Sequence, residues 1–520
     1  MRNAKTNKDT ESAKDSWNQD WIDFFKEPKS PFVQGYKRFF SIDEIEQSKV
    51  LQWFGCALLF MISLTFAAWA GNLGYSKEAY ELNTNICWPH FQDCGKFLLL
   101  SGLPYGYSLS ILYSAFFLMT LLAVLFIARK NWSAAHMIYS LFFLWIVLVM
   151  FFLTKTLNGN YWYFMTIFLF IFLYIPNRLF FLRITLVVLY FLAGTVKFND
   201  GWILGTYFTS MATGFPLFPD ETTAIFTNAV ILMEIAGSWF LLSKNKLLQR
   251  LSLAYFICFH LYSFILVKHL YPSVILPALL ILFGPMNKPL TIPNSKKTIF
   301  GWVFLGILIA FQFTSLLISG DGRYTLEGNF YGLYMFEANH QCIMNATVYG
   351  KDGQIRQIQK DNVAANNRCD PYDYWFNLNQ RCQRSENVER ITWTFDHSIN
   401  GGPFYRIVDQ YDACSATYAA FSHNDWIQDP SKSLIAGYPV KNFYGSRPST
   451  SQTSINKTPD GRLILPGLKG QDPPRLNELQ SALQPHVKKM QLLYWMMWSM
   501  ILIYGAARFL IIPLIGRKAR

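Results

Sequence analysis

Long apolar runs separated by short charged loops set the pattern of this chain. Runs approaching the roughly 20 residues that a helix needs to cross hydrocarbon fall at Val50–Ala70, Ser108–Ala128, Ala134–Leu153, Tyr161–Ile175, Leu179–Val196, Ala224–Leu242, Leu251–Val267, Ser273–Phe283, Phe300–Ile318 and Leu492–Ile512. The fourth and eighth are short and read as re-entrant or tilted. The first 48 residues are polar and charged, so no cleavable signal peptide is expected and the first run reads as a signal anchor. Met1 to Gln19 reads as disordered. Asp20 to Ile45 mixes basic and aromatic residues. It predicts either a segment on the cytoplasmic membrane surface or an amphipathic helix packed on the protein's own loops.

Between Gly320 and Lys489 the pattern changes. Thr347–Ile358 and Ile391–Val408 alternate around Asp-Gly and Asn-Gly-Gly turns, which predicts strand pairs. Gly437 to Pro474 is rich in Pro, Ser and Gly and reads as a long surface loop. The expected fold is therefore mainly α: a polytopic helical membrane bundle of about ten spans, with a β-containing extracytoplasmic domain before the last span. The expected divisions are 1–48 as an interfacial segment, 49–319 as the transmembrane domain, 320–489 as the outer domain, and 490–520 as the last helix and a basic tail.

Composition supports a membrane class. Charged residues make up 15% of the 520, below the roughly 25% of soluble domains. The net charge of +13 does not point to nucleic acid. Gly320 to Lys489 holds 18 Lys+Arg against 17 Asp+Glu, so the excess lies with the apolar part and its loops. Arg129-Lys130, Asn177-Arg178, Lys244 to Arg250, Lys288 with Lys296-Lys297, and the tail Arg517 to Arg520 share one side if there are ten spans. That is the positive-inside expectation. Cys87, Cys94, Cys342, Cys369, Cys382 and Cys414 then share the other side, as disulfides in an oxidising compartment would. Their pairing is open, within the domain or from loop to domain. No CxxC is present, so no metal site is expected.

Several polar side chains stand where apolar ones are cheaper. Lys155-Thr156-Leu157-Asn158-Gly159-Asn160 joins the third and fourth runs, and Lys197 closes the fifth. Glu234 lies midway along the sixth run, and His260 midway along the seventh. An ammonium at the end of a span reads as a stem lying along the helix with its amine at the interface, or as a site. A lone buried histidine reads as a satisfied core residue. Glu234 reads as a structural pair with His260 or a backbone amide, or as part of a site, because an unpaired carboxylate in hydrocarbon is costly. An acid, a base and a lysine on neighbouring runs point to an intramembrane site.

In that order and spacing, these residues resemble the vitamin K-dependent gamma-glutamyl carboxylase family, within the horizontally transferred transmembrane (HTTM) group. The resemblance runs from about Trp21 to Pro285. It rests on Lys155-Thr156 with Asn158 and Asn160, on Tyr190-Phe191-Leu192-Ala193-Gly194 with Lys197, Trp202 and Gly205, and on Glu234, Phe259-His260 and Pro272. It implies a reduced naphthoquinone, vitamin K or menaquinone, as cofactor. Lys197, Glu234 and His260 would be the catalytic residues. Lys155, Thr156, Asn158, Asn160 and Trp202 would bind substrate or cofactor. The implied reaction carboxylates glutamate with O2 and CO2, in a secreted peptide or protein, and Lys197 is its neutral-amine base. Desolvation favours that neutral form. One position departs from the family. Asn160 stands where the carboxylase has a histidine, and an amide cannot shuttle a proton. The alternative is a non-catalytic HTTM-fold protein acting in maturation or export of a secreted peptide. A transporter finds no inverted repeat. The expected location is multi-pass, in a bacterial inner membrane or else the endoplasmic reticulum.

Overall fold

The computed structural model describes residues 31–71, 86–94, 107–148, 155, 160–211, 214–267, 270–286, 290–293, 297–362, 369–402, 404–428, 434–435, 456–457, 463–464 and 476–511. The expected disorder at Met1 to Gln19 and most of the loop from Gly437 to Pro474 lie outside these residues. The longer helices are α1 (Pro31–Phe40), α2 (Lys49–Gly71), α3 (Tyr107–Ala128), α4 (Trp132–Ile146), α5 (Asn160–Tyr174), α6 (Arg178–Thr195), α7 (Thr223–Leu232), α8 (Lys246–Val267), α9 (Leu270–Phe283), α10 (Thr298–Gln312), α11 (Pro371–Arg384) and α12 (Val487–Ala506). The strands are β1 (His340–Gly350), β2 (Ile355–Asn362), β3 (Val388–Ile399), β4 (Phe404–Asp412) and β5 (Leu434–Ile435). The protein is mostly helical, with a small antiparallel sheet.

Every expected apolar run falls on a helix, but the ten-span count is not carried by the structure. Among the described residues four helices are long and apolar enough to cross a membrane: Lys49–Ala67, Arg178–Thr195, Asp220–Phe240 and Glu478–Phe509. Five further apolar helices are 10–17 residues long. At about 1.5 Å per residue, Trp132–Ile146, Tyr161–Tyr174, Leu270–Phe283 and Thr298–Gln312 reach less than the roughly 30 Å of hydrocarbon. Apolarity reports burial, not what does the burying. On α5, Phe168, Leu169, Ile171 and Phe172 are covered by protein. On α12, by contrast, Leu492, Leu493, Met496, Met500 and Ile503 stand exposed, an uncovered apolar face of the kind lipid covers.

The chain divides into two compact units. The first comprises Met1–Asn85, Cys94–Thr185 and Leu253–Val303. Its helices pack through aromatic rings, with Phe66 stacked on Phe116 at 3.8 Å between centroids. The Tyr139 hydroxyl donates to Gly55 O at 2.5 Å. α1 settles part of the reading for Asp20 to Ile45. It packs against the protein through buried Val33 and through Tyr36, whose hydroxyl lies 2.9 Å from His136 Nδ1, while Phe32 and Phe39 are exposed. Buried Arg178 ties this segment down. It donates to Ser41 O at 2.8 Å and to Phe40 O, while Glu44 accepts from its backbone N–H at 3.0 Å.

The second unit comprises Ile86–Asp93, Leu186–Ser252 and Phe304–Arg520. Both predicted hairpins form: β1 pairs β2 and β3 pairs β4, all antiparallel, in the sheet order β2-β1-β3-β4-β5. Ile391, Trp393, Phe395 and His397 alternate onto the buried face of β3, as the two-residue period of a strand requires. α11 covers that face, with Tyr374 4.9 Å from Phe395 between ring centroids. Cys342–Cys369 and Cys382–Cys414 are disulfides, and Cys87 of this unit is disulfide-bonded, as is Cys94 of the first. Cys56 and Cys258 are free.

Candidate functional site

The second unit brings Lys197 and Glu234 together. α6 is apolar from Leu186 to Gly194, where the residues are buried. Its helical hydrogen bonds end at Thr195, so the carbonyls of its last turn are open to capping. The Lys197 side chain folds back onto that end and donates to Ala193 O at 3.0 Å, where a cation is favoured by the helix dipole. The same amine lies 3.0 Å from Glu234 Oε1 and 2.7 Å from Oε2. Both side chains are almost out of solvent, at 3% and 5% exposure. The amine therefore does not snorkel, and the partner of Glu234 is Lys197, not His260.

Two backbone features make the encounter possible. Glu234 lies in a π turn, Met233–Gly237, that interrupts an otherwise α-helical stretch. Such turns are rare and cluster at functional sites. Ser238 Oγ and Ser252 Oγ donate to Glu234 O and Gly237 O, both at 2.7 Å, so carbonyls loosened by the wider turn stay partnered. Opposite stands Gly194. A Cβ there would fall 2.6 Å from Ile235 Cγ2 and 3.5 Å from Glu234 Cβ, so only glycine permits this approach.

Beyond Lys197 the chain turns into Asp200–Ile203, capped by Asn199, whose side chain accepts from Trp202 N at 3.1 Å. The Trp202 ring lies under the Lys197 amine at 5.2 Å, within cation–π range. Trp202 stacks on Tyr207 at 5.4 Å, and Tyr207 meets Phe208 edge-on at 4.9 Å. Of the other expected site residues, His260 belongs to the first unit. It is buried there against Phe259 and Tyr271, with ring centroids 5.0 and 5.4 Å away. Lys155 is half-buried in that unit, and Asn160 opens α5. Thr156 and Asn158 lie outside the described residues.

Sequence reasoning missed the π turn and the role of Ala193 O, neither of which leaves a residue-type signal. It also missed a buried histidine pair in the sheet, His340 and His397. There the alternation of β3 was a usable signal, because it places His397 on the same face as Trp393 and Phe395. Comparison with protein-family models, with curated proteins and with solved structures finds no match for this chain.

Proposed function

We propose that this chain is a multi-pass membrane enzyme of the gamma-glutamyl carboxylase kind. In this reading it carboxylates glutamate in a secreted peptide or protein, and Lys197 handles the proton. The observation that carries the reading is the lysine turned inward onto a buried carboxylate. The disulfides Cys342–Cys369 and Cys382–Cys414 of the second unit support placing its sheet on an oxidising, extracytoplasmic side.

The residues fit a flat fused-ring cofactor. Trp202 and Tyr207 offer stacked rings beside the amine and would hold a reduced naphthoquinone. Bound there, that group supplies electrons for oxygen chemistry and an acidic hydroxyl. The chain's own part is proton handling. At 2.7 Å from Glu234 Oε2 the ammonium can pass one hydrogen to the carboxylate. That leaves an amine lone pair on Nζ and a carboxylic acid on Glu234. The transfer leaves no net charge behind in a site that has already lost its water. Glu234 then keeps the first proton, and Nζ accepts the second from substrate. Ala193 O fixes the amine at the helix end throughout.

One observation favours a second reading. The three hydrogens of a Lys197 ammonium have three acceptors in the chain: Ala193 O and both Glu234 oxygens. A purely structural pair would look the same, in a non-catalytic HTTM-fold protein acting in maturation or export of a secreted peptide.

The discriminating experiment measures CO2 incorporation into a glutamate-containing peptide in nanodiscs. Reduced menaquinone or vitamin K is supplied, and wild type is run beside Lys197→Ala. Incorporation lost in the variant is the expected result. Quinol and oxygen consumption without incorporation would leave the half-reaction and implicate Asn160. Neither activity in wild type would overturn the enzyme reading in favour of the second.

A further inference from the structure

The sheet carries a second buried ionisable cluster that the Lys197 chemistry does not use. His340 opens β1 and His397 lies near the end of β3, with ring centroids 5.2 Å apart and near-parallel planes. Both are buried, at 5% and 0% exposure. The hydrogen bonds assign the tautomers in turn. His397 Nδ1 lies 2.8 Å from Tyr324 O. A carbonyl only accepts, so Nδ1 carries the hydrogen. Burial, with His340 alongside, displaces protonation of His397 well below the ordinary imidazole range, so its Nε2 carries a lone pair. That lone pair accepts from His340 Nδ1 at 3.0 Å. The remaining atom in line is His340 Nε2. It makes no hydrogen bond among the described residues and faces Glu337 Oε1 at 3.7 Å, beyond hydrogen-bond length but well within Coulomb range.

The cluster is built onto the turn that follows Lys197. Asn199 Nδ2 donates to Glu337 O at 3.2 Å, and Trp202 Nε1 donates to Phe336 O at 2.5 Å. Phe336 holds φ at 58°, a left-handed conformation that is costly for a bulky residue and persists only where surrounding contacts over-determine it. Asn400, in the β3–β4 turn, exchanges backbone and side-chain hydrogen bonds with Asn339, both at 2.8 Å. It also sits so close to Gly201 that a Cβ there would lie 2.1 Å from its Nδ2. Other ionisable groups around the cluster are Tyr324, edge-on to His397 at 5.6 Å, and Tyr405 beyond it. Next to Tyr324 is Arg323, neutralised by Asp200 and Asp321.

We propose that Glu337, His340 and His397 form a buried proton-holding relay on the Lys197 turn. His340 Nε2 is the atom that takes up the proton, Glu337 supplies the counter-charge, and His397 is the positioning residue that fixes the tautomer. Uptake of a proton from water forms one N–H bond at Nε2 and breaks no other bond in the protein. The cation so formed is drawn to Glu337. The pull is transmitted through Phe336 and Glu337, whose carbonyls hold Trp202 and Asn199, so the ring under Lys197 registers the proton. None of this depends on the carboxylase reading.

The test is nitrogen-15 NMR of the full chain in nanodiscs, with labelled histidine and tryptophan. At pH 8 His340 and His397 should both show the uncommon Nδ1–H form, as should His423 beside Glu327 Oε2, with one signal lost in His340→Gln and another in His397→Gln. On acidification His340 should gain a hydrogen at Nε2, and that titration should vanish in His340→Gln. In Glu337→Gln its midpoint should fall, the usual direction on losing a close counter-charge. The Trp202 indole signal, assigned with Trp202→Phe, should move with the same midpoint and stay fixed in His340→Gln. The proposal is overturned if either His340 or His397 carries Nε2–H at pH 8. It is also overturned by a midpoint indifferent to Glu337→Gln, or by a Trp202 signal that ignores the titration.

Discussion

Breaking the Lys197–Glu234 pair from one side should cost far more than removing it whole. The relevant variants are Lys197→Met, Glu234→Leu and the two combined. Side-chain exposures of 3% and 5% leave little water to stabilise a charge whose partner has gone. Among the described residues Lys197 is the one side chain donating to the Glu234 carboxylate. Removing one member of such a buried pair costs about 3–5 kcal/mol, whereas replacing both by apolar groups of similar volume is close to neutral. For a unit of a few hundred residues this corresponds to a fall of roughly 6–20 °C in Tm for each single variant. The double variant should return to within a few degrees of wild type. The assay is thermal unfolding in nanodiscs at one fixed scan rate, since unfolding of membrane proteins is commonly irreversible. Exposed Lys244→Met serves as the control. Additive losses, with the double variant as low as the two singles summed, would refute the pairing. Shifts as small as the control's would mean that the amine reaches water.

Three further outcomes follow from the same geometry. Gly194→Ala should destabilise by about 1–3 kcal/mol through overpacking, despite the better helix propensity of alanine, because its Cβ falls 2.6 Å from Ile235 Cγ2. Combining it with Ile235→Ala should recover part of the loss in the same unfolding assay. The disulfides Cys342–Cys369 and Cys382–Cys414 close separations of 27 and 32 residues, each worth about 3–4 kcal/mol by loop closure. Replacing either pair by alanine should speed limited proteolysis of the sheet region. Buried His397 stays neutral in the folded protein while the unfolded chain protonates it below 6.5. Its stabilisation is therefore complete above that pH and declines as pH falls, by about 1.4 kcal/mol per pH unit. His397→Gln should flatten that acid limb, and an unchanged limb would refute the assignment.

Much of this architecture was legible in the sequence. Hydropathy located the helices, the Asp-Gly and Asn-Gly-Gly turns located both hairpins, and the even set of six cysteines outside the apolar runs anticipated disulfides. Lys197 and Glu234 were recognisable as charges in the wrong solvent. What the sequence withheld is partnership. Lys197 and Glu234 stand 37 positions apart, and nothing in residue type says that a π turn and a glycine let them touch. The same limit explains the number of spans. An apolar run reads alike whether protein covers it, as on α5, or leaves it exposed, as on α12. His260, His340 and His397 show the limit for single polar residues. Each is one histidine with no partner evident in its own segment, and only the fold separates the one beside Tyr271 from the two that share a hydrogen.

The π turn at Met233–Gly237 also fixes the phase of the helix that contains it. Successive residues of an α-helix advance by about 100°, and a π turn holds one residue more than the α path needs. Before the turn, Asn228 is aimed at Tyr494, whose hydroxyl donates to it at 2.6 Å. After it, Trp239 is aimed at Phe191, 5.5 Å away between ring centroids. The surplus residue lets both aims hold at once and leaves Glu234 between them. Shortening the segment by one residue, Ala236 for instance, would rotate one half against the other by about 100°, slightly more than a right angle. The length of this helix is therefore a specification in its own right, and a single-residue deletion would misdirect a carboxylate that no substitution nearby could bring back.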